Sequence, residues 1–455
     1  MGFFKQYDMR GTFGVDFGLE TVRKVGAALP RVISGKRWLI GRDCRVTSDD
    51  VRDALLVGLC SAGVEVTDLG RCTTPMVYFF TAVDGYDGSV MITASHNPPS
   101  DNGLKVSKRT ALPVGYADGL SEVERLVAAD ATVADAPVAD GAAADEAGFR
   151  ARYLDFLRGK LAERPLGGLR IGIDCSNGMA SLFVRELFPD AVVINGTPDG
   201  DFPCHSPNPL KAEAREQLAR LVRERGLDCG IIFDGDADRA MFVDARGEFD
   251  PPDYHIPIPP AATRGDGPGG RVLHDVRTSR GVVEALREMG CEPVMVPVGH
   301  AFAKPRMRET GAVCGGELAG HYYFREFFGC DSGILAAIRI LQEFARFRQA
   351  APTAGFGEMV RPIASRYANS GELNFRVEDK DAAIGRVLTA AKSLGEELSR
   401  SELDGLRVEF ADGWFNVRKS NTEPFLRLIV EARTPSLMRE WVARFRSVID
   451  CHCQA

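Results

Sequence analysis

The sequence predicts an α/β chain of three similar α/β/α domains followed by a smaller C-terminal α+β domain. Three observations carry this expectation. A short apolar run that ends in polar residues occurs three times, at RWLIGRDCR (37–45), LRIGIDCSNG (169–178) and RVLHDVRTS (271–279). Each is followed by a helical pattern and then by a second apolar run closing in a conspicuous loop: VMITASHNP, CGIIFDGDADR and AVCGGELAGH. The C-terminal part changes character. There the short runs LRVEF, GWFNVRKS and FLRLIVEAR lie between helical segments such as SLMREWVARFRSVI, the pattern of an antiparallel sheet with helices.

Taken in order, the elements fit this division. Apolar residues of DDVRDALLVGLCSAG (49–63) recur at helical spacing up to Gly63, which ends the helix. Continuous apolar strands alternating with helices predict parallel sheets covered on both faces, and ligands then sit at loops beyond the strands' carboxyl ends. The three conspicuous loops therefore fall at matching places in three repeated units. The Ala- and Asp-rich stretch 127–148 suits a surface connection. The prolines from Pro251 to Pro260 and RGDGPGG (264–270) mark an irregular stretch, and APTAGFGEM (351–359) separates the third unit from the rest. The expected domains are 1–147, 148–250, 251–355 and 356–455.

Composition narrows the partners. The chain has 455 residues, 45% hydrophobic and 26% charged, with a formal charge of -7. An acidic protein does not wrap a polyanion, so nucleic acid is excluded, while a local positive pocket still admits a small phosphorylated substrate. No apolar run approaches the ~18 residues of a membrane span, and MGFFKQYDMRG lacks a signal-peptide core. A cytoplasmic protein without a membrane partner is expected, as a monomer or weak homodimer. The eleven cysteines lack paired metal-ligand spacing and read as small core residues, and Cys451-His452-Cys453 reads as a frayed tail.

Four stretches carry candidate chemistry. In DGDADR (234–239), Asp234, Asp236 and Asp238 can converge on a hard cation at the end of a buried strand, with Gly235 and Ala237 leaving room. An all-oxygen set fits Mg²⁺, though it also suits Ca²⁺, a phosphatase, or a solvated acidic turn. RKSNTEPFLR (418–427) crowds Arg418, Lys419, Ser420, Asn421, Thr422 and Arg427 together, a phosphate cradle or a plain polar hairpin loop. In GGELAGH (315–321), Glu317 and His321 could grip neighbouring sugar hydroxyls while the glycines let backbone approach a ligand, and a simple turn is the alternative. YDMRG (7–11) and VGHAFAK (298–304) are weaker signals of the same kind. Ser95, in TASHNPPSDNGLK, has three readings. It could be a hydrolase nucleophile, although no G-x-S-x-G elbow surrounds it. It could close a turn. It could carry phosphate, with Asp234, Asp236, Asp238 and Lys105 supplying metal and positive charge.

TASHNP with DNGLK, then DGDADR, GGELAGH and RKSNTEP, in that order, resembles the α-D-phosphohexomutase superfamily, and most closely its phosphomannomutase/phosphoglucomutase branch. The resemblance spans nearly the whole chain. It implies three α/β/α domains around a central cleft, plus a fourth domain related to the TATA-binding-protein fold. It implies that Ser95 is the phosphorylated serine, and that Asp234, Asp236 and Asp238 hold Mg²⁺ together with a phosphoserine oxygen. Arg239 would sit near the transferring phosphoryl group, Lys105 and His96 flank the serine, and Arg10 faces it. Glu317, Ala319 and His321 match the sugar loop; Tyr7, Arg277, His300 and Lys304 match neighbouring substrate contacts. Arg418, Ser420, Asn421, Thr422 and Arg427 match the site of the phosphate that is not transferred. One departure is Ala319, where this branch commonly carries serine in GE-x-S-G-H; losing one neutral hydrogen bond costs about 1 kcal/mol.

The resemblance implies reversible phosphoryl transfer between C1 and C6 of mannose or glucose phosphate. Ser95 donates, a hexose 1,6-bisphosphate forms, turns and returns its other phosphate, and free hexose 1,6-bisphosphate primes the serine. Lys105 is the favoured general base. A phosphoglucosamine mutase is the nearest rival, although YDMRG fits the mannose/glucose branch better. A Mg²⁺-dependent sugar phosphatase would need no second phosphate cradle, and a non-catalytic sugar-phosphate sensor would need no acidic metal loop.

Overall fold

The computed structural model describes residues 2–129, 145–259, 269–420 and 425–449. The first sheet holds β1 (Met9–Thr12), β2 (Arg37–Arg42), β3 (Glu65–Arg71), β4 (Gly88–Ile92), β5 (Asp101–Lys108) and β6 (Leu112–Pro113). The second holds β7 (Ile171–Asp174), β8 (Val192–Ile194), β9 (Cys229–Phe233), β10 (Ala240–Asp244) and β11 (Phe249–Asp250). The third holds β12 (Arg271–Asp275), β13 (Glu292–Val296), β14 (Cys314–Gly316), β15 (Tyr322–Phe324) and β16 (Cys330–Asp331).

The second and third sheets share one order, β8-β7-β9-β10-β11 and β13-β12-β14-β15-β16, and the first, β3-β2-β4-β5-β1, matches it except that its edge strand comes from the start of the chain. The first three strands of each order run parallel and the remaining two add antiparallel. The expectation of parallel sheets is therefore corrected to mixed ones. The cause is local: β4, β9 and β14 each turn straight back into the next strand without an intervening helix, and strands joined by so short a connection pair antiparallel. The three loops at those reversals are the serine, aspartate and glycine loops, so they occupy one equivalent position in all three units.

Burial explains the strands. Every residue of β4, β9, β10 and β14 is buried, as continuous apolar runs require when helices cover both faces. One apolar core runs through all three units, from Leu39 and Phe80 through Phe183 and Phe233 to Ile334 and Phe344. The helix Phe356–Ala364 packs into it through Phe356, Val360 and Ile363. Helices Leu19–Val32 and Ser48–Ser61 cover the other face of the first sheet. Cys44, Cys72, Cys175, Cys229, Cys314 and Cys330 are buried as small core residues. The tail with Cys451, His452 and Cys453, most of the 127–148 connection and the 264–268 part of RGDGPGG lie outside the described residues.

The fourth sheet is antiparallel: β17 (Ala368–Asn369), β18 (Leu373–Arg376), β19 (Ser399–Ser401), β20 (Leu406–Phe410), β21 (Gly413–Lys419) and β22 (Phe425–Ala432). It has its own core, with Phe415, Trp441 and Phe445 under helices Lys380–Ala391 and Pro435–Ile449. Polar contacts join it to the third unit. Arg280 donates to the carbonyls of Phe410 (2.8 Å) and Gly413 (2.9 Å), and Arg407 to those of Val276 (2.7 Å) and Thr278 (2.9 Å). No helix among the described residues is long and apolar enough to cross a membrane.

The two helices behind the first sheet touch backbone to backbone at Gly26 and Gly58. A Cβ on Gly58 would lie 2.2 Å from the Arg23 carbonyl oxygen. Gly58→Ala is expected to cost about 1–3 kcal/mol by overpacking, read as a lower thermal midpoint, while an exposed control, Gly159→Ala, leaves it unlowered.

Candidate active site

Ser95 sits just past β4, buried, in a left-handed backbone conformation (φ 51°) that serine adopts only when its surroundings hold it there. Its amide donates to Thr93 Oγ1 at 2.8 Å. Arg45 clamps the rest of the loop. Its guanidinium donates to the carbonyls of Ser95 (2.9 Å), Asn97 (2.8 Å), Pro98 (2.6 Å) and Asp101 (2.9 Å), and its Nε is paired with Asp43 at 3.1 Å. Sequence reading passed over Arg45. The signal was there in RDCR, three charged residues at the end of a buried strand.

The Ser95 hydroxyl donates to Asp234 Oδ2 at 2.7 Å and lies 3.3 Å from His96 Nδ1. So close an approach of two loops requires Gly235, because a Cβ there would meet the Ser95 carbonyl oxygen at 2.6 Å. Asp234, Asp236 and Asp238 expose no surface, and one oxygen from each lies within 4.8 Å of the others. Burial and the charges of Asp238 and Asp236 push the Asp234 carboxyl far above its ordinary range. At Asp236 burial acts the same way, but Lys105 outweighs it and the carboxyl falls below that range.

Asp236 Oδ2 accepts from Thr74 Oγ1 at 2.5 Å and from Lys105 at 2.7 Å; Lys105 also reaches Asp238 Oδ2 at 2.6 Å. The other oxygens, Asp236 Oδ1 and Asp238 Oδ1, are buried without a hydrogen-bond partner. An all-carboxylate set with two unspent inward oxygens fits a hard divalent cation such as Mg²⁺. Burial works against the Lys105 charge, yet Asp236 and Asp238 hold its pKa above the ordinary value. Lys105 thus bridges two of the three acids from the first unit. Burial, with Arg239 and Arg10 nearby, holds His96 far below its ordinary pKa and therefore uncharged.

Arg10, on β1, donates to Asn97 Oδ1 at 3.2 Å and pairs with Asp8 at 2.5 Å, so it stands beside the serine loop. Arg239 closes the aspartate loop with its amide on Asp234 Oδ1 at 3.1 Å; its buried Nε, 3.7 Å from Asp234, has no hydrogen-bond acceptor.

The glycine loop meets this cluster from the third unit. His321 Nδ1 donates to Asp331 Oδ2 at 2.7 Å and lies 3.8 Å from Asp238 Oδ1. Glu317 accepts from the Tyr323 hydroxyl at 2.6 Å and is 3.9 Å from Arg277. Ala319, between them in the loop, is 9% exposed. Asp331, which orients His321, ends β16 and lies outside the four stretches singled out in the sequence. Tyr7 packs on the backbone of Gly299, whose Cβ would meet its ring at 3.1 Å, and its ring centroid lies 6.5 Å from that of His300. His300 opens the helix His300–Thr310. Lys304, also expected at the substrate, lies on the same helix. It exposes no surface, pairs with Asp331 Oδ1 at 2.8 Å and lies 3.4 Å from the centroid of the Tyr78 ring, turned toward the interior because Asp331 supplies its countercharge there.

Arg277 carries the chain of charges onward. It is bound to Asp275 at 2.7 Å and reaches Glu372 at 3.7 Å. Glu372 in turn accepts from Arg418 at 2.8 Å and pairs with Arg427 at 3.1 Å. The aspartate loop, the glycine loop and the basic end of β21 thus share one continuous line of contacts. Ser420 follows, nearly buried, while Asn421 and Thr422 lie outside the described residues.

The phosphoglucomutase/phosphomannomutase family models match in order: α/β/α domain I at residues 1–133, domain II at 151–247, domain III at 260–354 and the C-terminal domain at 372–448. Phosphohexose mutases of Xanthomonas campestris are similar, with 36% identity over 441 residues and 96% of each chain covered. The phosphomannomutase of Salmonella typhimurium is 36% identical over 455 residues, with 98% of each chain covered. The crystal structure of a phosphoglucomutase/phosphomannomutase family protein from Burkholderia thailandensis matches with a TM-score of 0.83 at 28% identity, covering 100% of this chain and 98% of that one. Four domains matched in sequence, and relatives above a third identical from end to end, show that this chain belongs to the phosphoglucomutase/phosphomannomutase family of isomerases.

Proposed function

We propose that the chain interconverts the 1- and 6-phosphates of mannose and of glucose through a phosphorylated Ser95. One observation carries the reading: a buried serine hydroxyl 2.7 Å from a carboxylate in a cluster of three, two of which keep an unspent oxygen. A turn-closing serine has no need of such a neighbour. Asp234, Asp236 and Asp238 would hold Mg²⁺, which offsets charge on the phosphoryl oxygens.

The chain's own groups do the rest. Phosphoryl transfer breaks the bond from phosphorus to Ser95 Oγ and forms one to a sugar hydroxyl, whose proton must leave and finally take the phosphoryl group's place on Ser95 Oγ. His96, 3.3 Å from Ser95 Oγ, and Lys105, on the neighbouring aspartates, are the groups placed to relay it. Arg239 has a donor free for the phosphoryl group in flight. Glu317 and His321 would orient the sugar ring, with Tyr7, Arg10, His300 and Arg277 around it. Arg418 and Ser420, with Asn421, Thr422 and Arg427, would grip the idle phosphate. The hexose 1,6-bisphosphate then turns end for end and returns its second phosphate to Ser95, and the same compound primes an unphosphorylated enzyme. The names of the relatives favour mannose phosphate, and the reading places the enzyme in the cytoplasm with its substrates.

Three outcomes are expected. After incubation with glucose 1,6-bisphosphate, intact-mass measurement gains one phosphate on Ser95, and Ser95→Ala abolishes both that gain and mutase turnover; turnover intact in the variant overturns the reading. Chelation with EDTA followed by desalting removes activity at least tenfold, and Mg²⁺ restores it. Ala319→Ser changes the ratio of kcat/KM for mannose and glucose phosphates by up to roughly fivefold, the worth of one neutral hydrogen bond.

A further inference from the structure

Glu372 belongs to none of the motifs that mark the family resemblance, yet three guanidiniums converge on it. Arg418 Nη2 donates to Oε2 at 2.8 Å, Arg427 Nη1 lies 3.1 Å from Oε1, and Arg277 Nη1 lies 3.7 Å from Oε2. Both carboxylate oxygens are engaged. Burial alone would raise its carboxyl pKa, but Arg277, Arg418 and Arg427 together hold it below the ordinary range, so it is an anion. It follows Gly371 in a left-handed turn (φ 66°) and leads into β18, which pairs with β22, so Glu372 stands beside the sheet that carries Arg418 and Arg427.

The arrangement is that of an anion site with an anion already in it. Arg277 does not need Glu372 for placement, because Asp275 holds it at 2.7 Å through Nη2 and again through Nε. Arg418 keeps a buried Nε without a hydrogen-bond partner beside the edge that Glu372 occupies. A mutase has a particular need for such a site. Its intermediate must leave the cradle, turn and re-enter within one turnover, and an uncompensated pair of guanidiniums, Arg418 and Arg427, would hold a phosphate dianion too long.

We propose that Glu372 is an internal competitor for the idle phosphate: its carboxylate sits on Arg418 and Arg427 and weakens the cradle enough for the bisphosphate to let go. The inference rests on the phosphate-cradle reading given above. Removing the negative charge while keeping the shape strengthens anion binding, since a charge a few ångströms away is only partly screened in a half-buried site.

The test is titration of the full-length Mg²⁺-loaded protein with inorganic phosphate by calorimetry, for the wild type, Glu372→Gln and Arg418→Ala. Glu372→Gln is expected to lower the phosphate Kd by roughly five- to tenfold, and in turnover to lower both KM and kcat, because release slows. Glu372→Asp, which withdraws the carboxylate by one methylene, shifts both in the same direction by less and serves where the glutamine variant folds poorly. Arg418→Ala weakens phosphate binding if the cradle reading holds; unchanged affinity in that variant sinks the cradle itself. Weakened binding in Arg418→Ala with an unchanged or raised Kd in the Glu372 variants would show a carboxylate that merely positions arginines, and would overturn the proposal.

Discussion

Three carboxylates without exposed surface, close enough to share one ion, are the constraint around which the molecule is organised. Left alone they would repel one another in a medium that screens poorly, and burial would drive protons onto them. Their countercharge comes from a different unit: Lys105 on β5 of the first sheet reaches Asp236 and Asp238 on the loop of the second. Thr74, at the start of another first-unit helix, adds both its hydroxyl and its amide to Asp236. The acids can therefore exist in this form only when the first two units are docked, which is also the condition for Ser95 to lie beside them. Assembly of the fold and assembly of the site are one event.

The same logic extends outward. Asp238 approaches His321, His321 is held by Asp331, and Asp331 is neutralised by Lys304 over the face of the Tyr78 ring. Each buried charge has its complement on a neighbouring element, so the residues behind the reacting groups are as constrained as the groups themselves. This explains why Lys304 turns inward: a buried carboxylate without it would be uncompensated.

Much of this was legible in the sequence. The three repeated apolar runs announced three sheets, and their terminal loops announced the site, because a strand buried on both faces has nowhere but its end to place polar chemistry. The reversal after β4, β9 and β14 was not legible, since an apolar run carries no sign of the direction of its partner. Nor were Arg45, Asp331 and Glu372. Their significance lies in what they touch across 50, 10 and 46 positions of chain, to Ser95, His321 and Arg418, and no local spacing records that.

The two kinds of seam between units have different mechanical fates. Sliding along the shared apolar core would admit water to surfaces built from Phe80, Phe183 and Ile334, a loss that grows with every square ångström. The junction at Arg280 and Arg407 is stitched instead by guanidinium donors on backbone carbonyls, and such links can be exchanged for water one at a time with little net change. Three units are thereby welded by apolar burial, and the fourth is riveted to them by directional polar bonds.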